Sequence, residues 1–159
     1  MNTIESAISL RNEKRIDEAI EVLRHLLDLS PDDAKCNYQM AWCHDLLGKE
    51  KEAVPYYLKS IKNGLDATDL KGAYLGLGST YRAIGDYQKS RDVFLEGISK
   101  FPENKEFLVF LSMTLYNLDY HKEAMKLLLN LVCDTTNYQC ILAYERAIRF
   151  YSDKLDEIW

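Results

Sequence analysis

Glycine and proline are scarce in this sequence, seven and three among 159 residues. Tight turns and chain breaks lean on those two residues. Their scarcity argues against a loop-rich β-sandwich or a disordered linker and predicts long, uninterrupted helices. Charge of one sign is also missing. Lys and Arg number 20 against 25 Asp and Glu, and residues 1–67 carry 9 basic and 12 acidic side chains against 11 and 13 in residues 68–159. No basic footprint therefore points to nucleic acid or an anionic membrane, and neither is an expected partner. Long hydrophobic runs are absent as well: Leu127-Leu128-Leu129 ends at once in Asn130, far short of the roughly 18 apolar residues of a spanning helix. The start, Met-Asn-Thr-Ile-Glu, lacks the basic and apolar stretches of a signal peptide. The four cysteines, at 36, 43, 133 and 140, form no C-x-x-C. They read as reduced, small apolar side chains, which predicts a cytoplasmic protein and no metal site.

What is present is a repeat. Ala7, Ala41, Gly78 and Ser112 lie 34, 37 and 34 residues apart, as do Ala19, Ala53, Ser90 and Ala124, and as do Leu23, Tyr57, Phe94 and Leu128. Three tracks with one period share one three-residue insertion, which must fall between Leu65 and Lys71. Within a unit the apolar spacing is helical: Tyr74, Leu77, Gly78 and Tyr81 follow i, i+3, i+4, i+7. Gly85-Asp86 interrupts the stripe, a second stripe runs through Val93, Phe94, Gly97 and Ile98, and Phe101-Pro102 stops it. Each unit is thus a helical hairpin of about 34 residues.

These residues resemble the tetratricopeptide repeat, whose pattern is W-x₂-L-G-x₂-Y…A-x₃-F…P. The third unit carries Tyr74, Leu77, Gly78, Tyr81, Ser90, Phe94 and Pro102 at those places. The fourth carries Leu108, Leu111, Ser112, Leu115, Ala124 and Leu128, with Thr136 in place of the proline; the second keeps Met40, Ala41, Ala53 and Tyr57; the first keeps Ala7, Leu10, Ala19, Leu23 and Pro31. Gly64 through Gly85 is further similar to short, mostly bacterial repeat proteins. The resemblance implies an all-α, right-handed α-solenoid of about four hairpins (1–33, 34–70, 71–104 and 105–136) within a single domain over 1–159. A stripe through Tyr138, Ile141, Tyr144, Ile148, Tyr151 and Leu155 predicts a capping helix over 137–157, a ninth helix. Pro55 falls inside the second hairpin's second helix, where a kink or a late start is expected.

In the resembled family the first helix of each hairpin lines a concave face that binds other proteins. That implication places Ile4, Ile8, Tyr38, Gln39, Trp42, Leu75, Gly76, Ser79, Arg82, Val109, Phe110, Met113, Tyr116 and Asn117 on the face. Trp, Tyr, Met and Arg are the types enriched in binding anchors. The small stripe Gly72, Gly76, Ser79, Ala83 would form a trough between Trp42 and the pair Phe110 and Met113. It would take an apolar side chain of a partner peptide, or be filled by packing or by the chain's own N-terminal segment. The co-chaperone cluster of Lys, Asn and Arg is replaced here by Ile4, Ile8, Gln39, Gly72 and Gly76, so a grip on C-terminal carboxylates is not expected. Phe150, Tyr151 and Trp159 suggest an alternative, a structural homo-oligomer, most simply a two-fold dimer.

No catalytic constellation emerges. His25, His44 and His121 form no pair at i, i+4; Cys43 and His44 are helix neighbours that point about 100° apart. Cys36 and Cys43 stand roughly 10 Å apart along a helix, too far for one metal ion without other ligands. Gly76-Leu77-Gly78 lies inside a helical stripe rather than after a strand, so it is no phosphate loop. The expected protein is a non-catalytic interaction module without cofactor, whose partner is another protein or peptide.

Overall fold

The computed structural model describes residues 3–159. Ten helices and no strand occur among them: α1 (Ile4–Asn12), α2 (Ile16–Leu29), α3 (Ala34–Leu46), α4 (Glu50–Asn63), α5 (Ala67–Ala83), α6 (Tyr87–Lys100), α7 (Glu106–Asn117), α8 (His121–Thr135), α9 (Gln139–Leu142) and α10 (Glu145–Tyr151). The all-α, hairpin-repeat fold class follows directly. The chain divides into two compact units, Met1–Asp86 with α1 to α5 and Tyr87–Trp159 with α6 to α10.

Local chemistry sets the helix boundaries. Thr3 and Ser6 close a capping box on α1, each side chain accepting from the other's backbone N–H at 3.2 and 3.1 Å. Asp33 caps α3 by accepting from Cys36 N at 2.6 Å, and Asp66 caps α5 by accepting from Thr68 N and Asp69 N at 3.0 Å. The three-residue insertion is resolved here: α5 starts four residues before the position equivalent to the start of α3, so the added residues form an extra N-terminal turn.

The turn inside each hairpin needs one residue in the left-handed region. Gly48 and Gly85 supply it at φ 68° and 83°, while Lys14 and Asp119 adopt it at φ 64°. These four positions are again 34, 37 and 34 apart, a fourth track of the repeat. Glycine takes such a backbone without the steric cost that a Cβ brings.

The three sequence tracks form the core. Ala7, Ala19, Leu23, Ala41, Ala53 and Tyr57 are buried in the first unit, and Ser90, Phe94, Ser112 and Ala124 in the second; only Leu128 is half-buried. Two polar members of the second unit satisfy each other, Ser90 and Thr114 sharing a hydroxyl hydrogen bond of 2.9 Å. In the same unit Gly97 is a close-approach site: a Cβ there would lie 2.9 Å from ring atoms of Phe107, itself fully buried. Pro55 is accommodated within α4, which begins at Glu50, so the expected late start does not occur. Proline's missing N–H leaves the Lys51 carbonyl without its helical donor, and Pro55 is exposed.

The continuous capping helix expected over 137–157 is replaced by two short helices, α9 and α10, with a turn at Ala143 and Tyr144, so the described residues form ten helices rather than nine. Polar anchors on α8 explain the break. Arg149 donates to Asp134 at 2.8 Å and Asn130 at 3.2 Å, Asn130 donates to Ser152 at 3.2 Å, and Lys126 pairs with Asp153 at 3.1 Å. These bonds fix 149–153 against α8, and the chain must turn at 143–144 to reach them. Of the expected stripe, Ile141 and Ile148 are half-buried, whereas Tyr138, Tyr144, Tyr151 and Leu155 remain exposed.

Candidate functional site

In the first unit the site residues gather on α3. Every residue from Cys36 to Cys43 is buried except Trp42, which is 39% exposed. Tryptophan is among the residue types enriched at binding anchors, so its open ring is the candidate contact on this helix. Trp42 is held in place on two sides. The Arg11 guanidinium of α1 lies 3.7 Å over its ring, and the Tyr38 ring is 5.8 Å away. Arg11 is 8% exposed and donates to the neutral oxygens of Gln39 and, at 3.1 Å, of Asn12. Burial draws its pKa down, with Asp69 acting in the opposite direction. The sequence reading missed this arginine. Its signal was the continuation of Ile4 and Ile8 to position 11, at i, i+4, i+7.

The small stripe of α5 is filled from within at two points. A Cβ on Gly72 would fall on the Tyr38 hydroxyl, and one on Gly76 would fall 2.5 and 2.7 Å from Tyr57 ring atoms. The packing alternative therefore holds at Gly72 and Gly76: both glycines receive tyrosines of the preceding hairpin. Farther along α5, Ser79 and Arg82 are half-buried and Ala83 is exposed. Tyr57 is fixed by Asp45, to whose Oδ2 its hydroxyl donates at 2.7 Å, and the Thr80 hydroxyl lies 3.0 Å from both Asp45 oxygens. Burial and the neighbouring carboxylate push the Tyr57 pKa far up, and burial lifts that of Tyr38 to about 12.

The second unit places its predicted residues along α7. Phe110 is half-buried and stacks on Phe94 at 6.0 Å, so part of its ring belongs to the core. Met113 and Tyr116 are 40% and 63% exposed, and Asn117 is half-buried. Tyr116 also contacts His121 at 4.6 Å between ring centroids. At the chain's end Phe150, Tyr151 and Trp159 form an exposed aromatic cluster with centroids 5.0, 5.8 and 6.4 Å apart.

Cys43 and His44, the sole thiol–imidazole neighbours, do not make an activated pair. Cys43 is fully buried, and burial raises its pKa to about 11; a thiol held protonated is a poor nucleophile. His44 stacks on Tyr56 at 5.4 Å, and burial lowers its pKa. Among the described residues no helix is long and apolar enough to cross a membrane.

The profile of one family, described as tetratrico peptide repeat, matches residues 34–155, and that of a second, described as tetratricopeptide repeat, matches residues 5–33. The chain is a tetratricopeptide repeat protein. Among solved structures it is similar to MamA at 18% identity and a TM-score of 0.74, over 93% of this chain and 88% of that one. It is also similar to MamA from residue 41 to the end, from Desulfovibrio magneticus RS-1, at 19% identity and a TM-score of 0.71, over 91% and 74% of the two chains. At these identities the likeness concerns the fold. A curated relative, BBSome complex member BBS4 of Bos taurus, is 26% identical over 178 aligned residues. The alignment takes in 92% of this chain and 34% of that protein, so the chain spans about a third of the curated relative's length. Tetratricopeptide repeats are protein–protein interaction modules that stack helix pairs to present extended surfaces, and they serve generally as scaffolds rather than enzymes.

Proposed function

We propose that this tetratricopeptide repeat protein is a non-catalytic, cytoplasmic adaptor that captures a peptide segment of a partner protein on its first-helix face. The observation that carries the reading is Trp42, the one exposed residue in the buried run from Cys36 to Cys43. Its ring is oriented by Arg11 and Tyr38 before any partner arrives, so little ordering entropy opposes binding. Ser79 and Arg82 extend this face along α5. In the second unit, taken by itself, Met113, Tyr116 and Asn117 offer a first-helix surface on α7, with Phe110 as a partly buried support. Gly76 contributes by admitting Tyr57 rather than by touching the ligand.

Capture from native lysate on immobilised protein tests the reading. Trp42→Ala abolishes retention of the specific partner at unchanged helicity. Undiminished retention by this variant overturns the proposal. A second reading is supported by the cluster of Phe150, Tyr151 and Trp159, three mutually contacting rings that remain exposed: a homodimer formed through α10. Sedimentation velocity decides it, since a monomer at high micromolar concentration removes the dimer and a concentration-dependent shift abolished by Phe150→Ser supports it.

A further inference from the structure

Asp45 is a half-buried titratable group that the partner-binding reading does not use. It lies near the end of α3, and no cation pairs with it among the described residues. From α4 it faces the Tyr57 hydroxyl and Glu50, a like charge; from α5 it faces the Thr80 hydroxyl. Thr80 has one hydroxyl proton but three oxygens within reach: both Asp45 oxygens at 3.0 Å and the Gly76 carbonyl at 2.8 Å. An ionised Asp45 competes with Gly76 for that proton. A neutral Asp45 removes the competition. Its own proton then bridges from Oδ1 to Thr80 Oγ1, Thr80 donates to Gly76, and Tyr57 still donates to Oδ2, so every donor has an acceptor.

We propose that Asp45 is a proton-binding site that locks α5 onto α3 and α4, so that this part of the first unit is held more firmly in its protonated state. Burial, the largest influence, and Glu50 raise the carboxyl above the ordinary aspartate range, while the bonds from Tyr57 and Thr80 pull it back in part. The folded chain therefore takes up the proton before the unfolded chain does. The cost of the ionised form is complete above the folded pKa and is lost as pH falls toward the unfolded value of about 3.9. Because α3 and α5 carry Tyr38, Trp42 and Ser79, acid also tightens partner capture; this last step rests on the adaptor reading.

The experiment is a carbon-detected NMR titration of the full chain combined with urea unfolding at several pH values. Asp45 should titrate above the ordinary aspartate range, in contrast to Asp153, which its lysine neighbours hold down at about 2. Tyr57→Phe should move the Asp45 midpoint further up, since a donor to the carboxylate is lost. Asp45→Asn places a permanent donor toward Thr80. It should match or exceed the wild type at neutral pH and lack the wild type's relative gain on acidification; the His44 contribution is common to both and cancels. An Asp45 midpoint at or below the ordinary value, or a stability difference between wild type and Asp45→Asn that does not change with pH, overturns the proposal. If Asp45→Asn does not fold, the wild-type midpoint and the Tyr57→Phe shift decide. Neither readout involves a partner, so failure here leaves the Trp42 capture result standing, and the reverse.

Discussion

Replacing Gly97 by alanine sets two effects of opposite sign against each other. In the interior of a helix such as α6, alanine is favoured over glycine by about 1 kcal/mol, so an unencumbered site would gain that amount. The structure places the new methyl 2.9 Å from two ring atoms of Phe107 and nearer still to a third. Phe107 has no room to give, being fully buried and stacked on Phe101 at 6.2 Å. Overpacking of a tight core costs about 1–3 kcal/mol; with three ring atoms involved, the upper end applies. The net expectation is destabilisation by about 2 kcal/mol. The assay is urea unfolding followed by circular dichroism, with hydrogen exchange of α6 to α8 amides placing the loss in the second unit. Phe107→Leu in the Gly97→Ala background should recover part of the loss, giving a coupling energy of at least about 1 kcal/mol in the double-mutant cycle. A Gly97→Ala protein that gains stability refutes the close-approach argument, as does an additive cycle.

Other consequences are as direct. Lys14→Gly and Asp119→Gly relieve left-handed backbone at the two hairpin turns that lack glycine, and each should raise stability by about 0.5–1 kcal/mol after the entropy of glycine is deducted, whereas Gly48→Ala and Gly85→Ala should lower it by about 1–2 kcal/mol. Thr3→Ala removes the α1 capping box at a cost of about 1 kcal/mol, seen as faster amide exchange in the first turn of α1. Under native conditions a thiol reagent should modify exposed Cys140 first; Cys36 and Cys43, whose pKa values burial raises to about 12 and 11, should react only on unfolding. Immediate reaction of Cys43 contradicts its placement in the core.

The hairpins were legible because their core positions demand small or bulky side chains at a fixed period, and Ala7, Ala41, Gly78 and Ser112 record that demand directly. The turn track was half hidden. Gly48 and Gly85 advertise it, but Lys14 and Asp119 satisfy the same geometry without a compositional signal. The stripe on α5 was read correctly as small, yet a small residue accepts either a ligand or a neighbour. Only the reach of Tyr38 and Tyr57 across the hairpin boundary decides that Gly72 and Gly76 take a neighbour. Arg11 escaped notice because charged residues at hairpin ends are usually solvated, and its burial depends on Trp42 from the next repeat. The cap broke where Asn130, Asp134 and Arg149 bond across α8 and α10, long-range pairings that helical periodicity does not encode.

The central claim is that the face bearing Trp42 contacts a partner protein, and site-specific photo-crosslinking tests it most directly. A benzophenone amino acid is placed at position 42 and, as the control in the same unit, at Leu29, which is 74% exposed on a second helix. The account predicts that irradiation in native lysate joins a partner protein to position 42 and leaves position 29 unlinked. Equal crosslinking at position 29, or none at position 42, contradicts it.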